Sequence, residues 1–190
     1  TTGVFGSGRV TSDLKQSIAS VTYSRKMNSV IALGVSALFA GTRYTARGSN
    51  NMAALTRSFN ASGGNFAAVN HLSNQGDDYS FGAGFRLGML ARVLPALDVS
   101  ASYQPRISMT KLRRYSDAFP NGGKFDIPAT GVIGVALHLM KTLVLTTDLQ
   151  KIWYQDVPAY GTPNTALANG TCSPANPEVC FGGSAGAGLG

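Results

Sequence analysis

The sequence predicts an all-β chain forming part of an antiparallel transmembrane β-barrel, and three observations predict it. Six segments alternate apolar with small or polar residues at period two, with the apolar side chains on odd-numbered positions. Most of these segments reach the roughly 9–11 residues that a tilted strand needs to cross a bilayer. The connections between them alternate between tight turns and long loops, as in outer-membrane barrels.

The first segment, residues 17–26, sets Ala19, Val21 and Tyr23 against Ser20, Thr22 and Ser24. The second, 29–44, opposes Ile31, Leu33, Val35, Ala37 and Phe39 to Ala32, Gly34, Ser36, Ala40 and Thr42. In the third, 79–93, Phe81, Phe85, Leu87 and Met89 face Gly82, Gly84, Arg86, Gly88 and Arg92. The fourth, 97–107, carries Leu97, Val99, Ala101 and Tyr103 against Asp98, Ser100, Ser102 and Gln104. The fifth, 129–140, sets Ile133, Val135, Leu137 and Leu139 against Gly134, Ala136 and His138, and the sixth, 143–154, sets Leu143, Leu145, Leu149 and Trp153 against Asp148 and Gln150. Met27-Asn28, Leu94-Pro95-Ala96 and Lys141-Thr142 are tight turns. The long loops, 45–78, 108–128 and 155–190, are expected on the extracellular side. A soluble sandwich also alternates, but its outward face is rich in Lys, Glu and Thr and its connections have no long-short rhythm. Here the polar face is mostly Gly, Ala and Ser.

Composition agrees with β-structure. The chain of 190 residues holds 23 glycines, nine Phe and seven Tyr, and its one Glu is Glu178. No apolar run reaches the roughly 18 residues of a spanning helix. A secretory signal is expected to lie outside the chain, which begins TTGVFGSGRV. Neither the opening GVFGSG nor the 82–88 run has the spacing or following helix of a nucleotide loop. Cys172 and Cys180 lie close together in a Pro, Asn and Gly-rich stretch, which suits a disulfide in an oxidising compartment, two free thiols being the alternative.

The net charge of +7 suits nucleic acid on a soluble protein, but here its placement is one-sided. Arg43, Arg47, Arg57, Lys111, Arg113, Arg114, Lys124 and Lys151 all fall at or beyond the long-loop rim. They are placed to pair with the phosphate-bearing glycolipid of an outer leaflet, or to capture a ligand carboxylate. Nucleic acid is not expected. Tyr79, Phe81, Tyr103 and Trp153 fit an interfacial aromatic girdle. Within the lumen, Arg92 faces Asp98 as an expected ion pair, and Arg86 has Gln104 as neighbour with no counter-charge, which makes it the lumenal candidate for an anion. His138 is read as lumen lining. Small residues at Gly82, Gly84, Gly88, Gly134 and Ala136 predict a thin inner wall that something approaches closely. With His71 and His138 unpartnered in sequence, neither a metal site nor a catalytic triad is expected.

Phe125-Asp126-Ile127-Pro128, Ile152-Trp153-Tyr154 with Asp156 and Val157, and Ser102-Tyr103-Gln104 together resemble the FadL-type family of outer-membrane transporters for long-chain fatty acids and other hydrophobic compounds. The resemblance spans nearly all of the chain and implies a 14-stranded barrel with an N-terminal hatch, an extracellular loop groove, an inner pocket and a lateral opening in the wall. Neither hatch nor opening is placed on this chain, and six strands are too few for a closed barrel, so the chain is expected to be a portion of one. The function implied is passive uptake of long-chain fatty acids or aromatic hydrocarbons, without cofactor or catalysis, by a monomer in the outer membrane. A general porin for hydrophilic solutes is the alternative. Candidate substrate contacts are Arg86, Lys111, Leu112, Arg113, Arg114 and Phe119; of the apolar loop residues, Leu112 and Phe119 with Leu55, Phe59, Phe66, Leu72 and Met109 either form an outer groove or pack the loops together.

Overall fold

A computed structural model describes residues 10–140 and 142–188; the GVFGSG opening and Lys141 of the third tight turn lie outside the described residues. Strands β1 (Thr11–Lys26), β2 (Ile31–Arg47), β3 (Asp78–Leu94), β4 (Leu97–Gln104), β5 (Thr130–Met140) and β6 (Leu143–Ile152) form one antiparallel sheet in sequence order. The sheet curls into a half-barrel.

The registers explain why the alternation in sequence becomes two coherent faces. Ala19 pairs with Phe39, Val35 with Leu87, Met89 with Ala101, Ala101 with Ile133, and Ile133 with Leu149. Partners therefore share parity across the sheet, apart from slips beside two tight turns, at Arg92/Leu94 and His138/Met140. A slip of one residue elsewhere would send an apolar row to the opposite face. The odd face is the exposed one: Val21, Phe39, Phe81, Phe85, Leu87, Ile133, Leu145 and Leu149 all lie open. Burial instead falls on the even side of β2, at Leu38, Ala40, Thr42, Tyr44 and Ala46. A sandwich would bury its apolar row, whereas a barrel wall turns that row toward lipid.

Strand ends depart from the alternation in ways that have local causes. β1 begins at Thr11 rather than residue 17, because Thr11–Gln16 pair with Thr42–Arg47 although Asp13 and Lys15 break the apolar row. Hydrogen bonding continues past the membrane without an apolar face, and Arg43 meets Asp13 at 3.7 Å there. β4 ends at Gln104 rather than 107, yet Ile107 and Ile127 exchange backbone hydrogen bonds of 3.0 Å in the register of Gln104 and Thr130. Pro105 and Pro128 lie in the interval, and neither has an N–H for the ladder. β6 is similarly prolonged beyond Ile152 by a bond from the Trp153 amide to the Ala129 carbonyl.

At the first tight turn, the Asn28 carboxamide accepts from the amides of Val30 (2.8 Å) and Ile31 (2.7 Å), which closes the β1–β2 hairpin. The long connections gather at the opposite end of the sheet. They contain short helical turns, among them a helix over Arg57–Ala61 whose N-terminus is capped by the Thr56 hydroxyl. Their core joins Leu112, Tyr115, Phe119, Phe125, Val157 and Ala159 to Tyr44 and Ala46 at the top of β2.

Candidate functional site

The inner face divides into two halves with different chemistry. Toward the long loops, residues after β4 and before β5 lean into the lumen, and Ile107, Met109 and Ile127 pack on Leu38 and Ala40 of β2. Gly82 and Gly84 of β3 make this possible. A Cβ on Gly82 would lie 2.5 Å from the Met109 sulfur and 2.7 Å from the Ser108 carbonyl oxygen, and one on Gly84 would lie 2.8 Å from Ile107 Cγ1. The close approach expected at these glycines is made by the chain's own 105–110 segment.

Asp126, 3% exposed, fixes that segment. Its Oδ1 accepts from the Met109 amide at 2.8 Å, while Oδ2 lies 3.8 Å from Arg106 and 3.7 Å from Lys124. A buried carboxylate needs both hydrogen bonds and counter-charge, and this one has both. Farther along, Thr110 exchanges bonds with Phe81 at the edge of β3, and the Ser80 hydroxyl donates to the Thr110 carbonyl. Above this plug the Tyr115 ring is fully buried. Its hydroxyl accepts from the Ala46 amide at 3.1 Å and donates to the Gly76 carbonyl, tying two connections to the end of β2.

Toward the tight turns the lumen is polar. Arg92 pairs with Asp98 at 2.9 Å, and Nε2 of His138 lies 3.0 Å from the other Asp98 oxygen. Thus His138 is an arm of a charge row rather than plain lining. Arg86 donates to Gln104 at 2.8 Å and has no carboxylate within salt-bridge distance among the described residues. The space over Gly134 is taken by the side chains of Asp148 and Ser100 on the flanking strands.

The remaining candidates divide by burial. Leu112, at 0% exposure, and Phe119, at 4%, stand in the loop core and present no surface to a ligand; Leu72 and Met109 are buried as well. Their size and hydrophobicity fit packing as well as binding, and only the fold separates the two. Phe66 is open, stacked on Phe59 with centroids 4.5 Å apart, and Leu55 is at the exposed margin. Lys111, Arg113 and Arg114 are exposed at the rim, where the Arg114 amide donates to Asp78 (2.8 Å) and its guanidinium to the Gln75 carbonyl (3.1 Å). Of the aromatic residues on the lipid-facing row, Tyr103 and Trp153 meet edge to face at 6.0 Å, and the Lys151 ammonium lies 5.4 Å from the centre of the Trp153 ring. In the sequence Asp126 stood only as part of the Phe125–Pro128 motif, and its place two residues after Lys124 was the available signal for an ion pair.

Two loop devices hold the outer end. A disulfide joins Cys172 to Cys180. Near it, Glu178 accepts from the Ser184 amide (2.8 Å) and from Arg57 (2.5 Å), bonds that hold its carboxyl down to about 2. No cluster of three metal-ligating side chains occurs among the described residues.

No family model and no curated protein matches the chain. Solved structures do. The toluene transporter TbuX of Ralstonia pickettii matches with a TM-score of 0.54 at 15% identity, over 76% of this chain and 42% of that one. The fold is that of a FadL-type barrel wall. A TodX deltaS2S3 mutant, described as a monoaromatic hydrocarbon channel, matches at 0.55 with 20% identity over 77% and 43%. The toluene transporter TodX of Pseudomonas putida matches at 0.51 with 17% identity over 76% and 43%. The chain thus spans about two-fifths of the length of the transporters whose fold it shares.

Proposed function

We propose that the protein is an outer-membrane channel for passive entry of hydrophobic compounds, with long-chain fatty acids and aromatic hydrocarbons as the substrate classes. The observation that carries this reading is the apolar cover that Ile107, Met109 and Ile127 lay over Leu38 and Ala40 on the inner face of the wall, which we read as closing the lumen toward the long loops. Such a closure opposes hydrated ions and sugars, whereas a hydrophobic solute gains about 0.8 kcal/mol per methylene on leaving water for an apolar surface. The shared fold with toluene and monoaromatic hydrocarbon channels supports the same class of cargo.

In this account solute first meets the exposed Phe66 and its neighbours, then passes the 105–129 connection as that segment gives way. Transport is driven by binding and the concentration gradient, by a single chain acting as a monomer, without cofactor. Arg86, unneutralised by any described carboxylate, is the residue placed to meet a carboxylate head group in the lumen. A hydrolase would require a nucleophile on His138, and among the described residues that ring bonds only to Asp98.

The test is uptake by cells carrying or lacking the gene, using labelled toluene, labelled oleate and a labelled hydrophilic sugar. Loss of toluene or oleate entry with sugar entry unchanged is expected. Equal loss of the sugar would turn the reading to a general porin.

A further inference from the structure

A cleft of about 560 Å³ lies against the outer end of β3, bordered by Asp78, Tyr79, Met109, Thr110, Lys111, Arg113 and Lys124. Tyr79 belongs to the odd, lipid-facing row and stands directly above Phe81, both well exposed. The cleft therefore begins where the apolar band of the wall ends. Of its three cations, Lys124 is ion-paired while Lys111 and Arg113 are not, among the described residues. Asp78 is engaged by the amides of Tyr79 (2.9 Å) and Arg114 (2.8 Å), and Lys124 lies 3.7 Å from the Asp126 carboxylate already shared with Arg106. Lys111 and Arg113 have no carboxylate within 4.0 Å among the described residues.

Read outward along the wall, the order is apolar row, interfacial Tyr, then convergent cations. That is the order of acyl chain, interface and phosphate in an outer-leaflet amphiphile. We propose that this cleft binds a phosphate group of the phosphorylated glycolipid of the outer leaflet, with the lipid's acyl chains lying along Phe81, Phe85 and Leu87. Lys111 and Arg113 supply the free charge, and the planar guanidinium of Arg113 offers paired donors to phosphate oxygens. The site rests on the outer-membrane placement proposed above but is independent of what the lumen carries.

Titration of diphosphorylated lipid A, its dephosphorylated counterpart and oleate into the protein in phosphatidylcholine nanodiscs tests this, comparing wild type with Lys111→Gln/Arg113→Gln. Near a membrane surface each cation contributes about 1 kcal/mol toward an anionic lipid, about fivefold in affinity, so the double variant is expected to bind the diphosphorylated form roughly 25-fold more weakly. Both residues are exposed, and unchanged heat-modifiable gel mobility shows that the barrel is intact. Equal binding of the two lipid A forms, or wild-type binding by the variant, overturns the proposal. Displacement of lipid A by oleate also overturns it, assigning the cleft to a substrate carboxylate. Cell fractionation reads the outer-membrane placement separately.

Discussion

The loop-side and turn-side halves of this lumen are built from the same β-strands yet hold opposite contents. Outer positions on β2 and β3 are small or apolar and are covered by Ile107, Met109 and Ile127. Positions near the tight turns on β3, β4 and β5 carry Arg92, Asp98 and His138, whose side chains remain partly open. In one half glycine leaves room for another segment of chain; in the other, charges satisfy one another across neighbouring strands. The apolar cover therefore resides in a connection, and the polar half resides in the wall itself.

The largest break in that contrast is expected from Ile107→Ala. Truncating a fully buried Ile costs about 2–5 kcal/mol locally, and the plug should loosen before the wall does. Hydrogen exchange over residues 105–129 is expected to accelerate while β2 amides at 32–38 stay protected. Asp126→Ala follows. It leaves the Met109 amide buried without an acceptor, at about 1–3 kcal/mol, and releases Arg106 and Lys124. The same exchange measurement should show a smaller acceleration centred on Met109.

A pH effect is expected to be smaller and confined to the loops. Glu178 titrates at about 2 in the folded chain against an ordinary 4.5, chiefly because the Ser184 amide, and then Arg57, bond its carboxylate. The tether between the 48–77 and 153–188 connections is thus complete above pH 4.5 and weakens as pH falls toward 2. Protease cleavage in these loops should rise over that window in wild type, and Glu178→Gln should remove the pH dependence. The smallest effect is expected from Arg92→Gln. Its guanidinium is largely exposed, so the pair with Asp98 contributes about 0–1 kcal/mol and the thermal midpoint should scarcely change.

The wall was legible in sequence because lipid imposes a periodic demand: alternate residues must be apolar, and β1 to β6 comply wherever they cross the membrane. Beyond the membrane the demand lapses, so Thr11–Gln16 joined β1 with no sign of alternation. The Arg92–Asp98 contact and the Arg86–Gln104 bond follow from hairpin register, which a two-residue turn largely fixes. His138 joins that row through the β4–β5 pairing, whose long connection left register unset. Leu112 and Phe119 show where sequence stops: an aromatic or Leu in a long loop has the same chemistry whether it packs inward or meets a solute. What separated the two roles was a partner set, Tyr44, Phe125 and Val157, that only the folded loops bring together.

In the function proposed, the 105–129 connection closes the outer lumen to water-borne solutes. Conductance of the protein in planar bilayers, compared with that of Ile107→Ala/Met109→Ala, tests it most directly. Little steady ion current is expected for wild type and a marked increase for the double variant. A wild-type protein that already conducts as an open pore, with no change on truncating these two side chains, would contradict it.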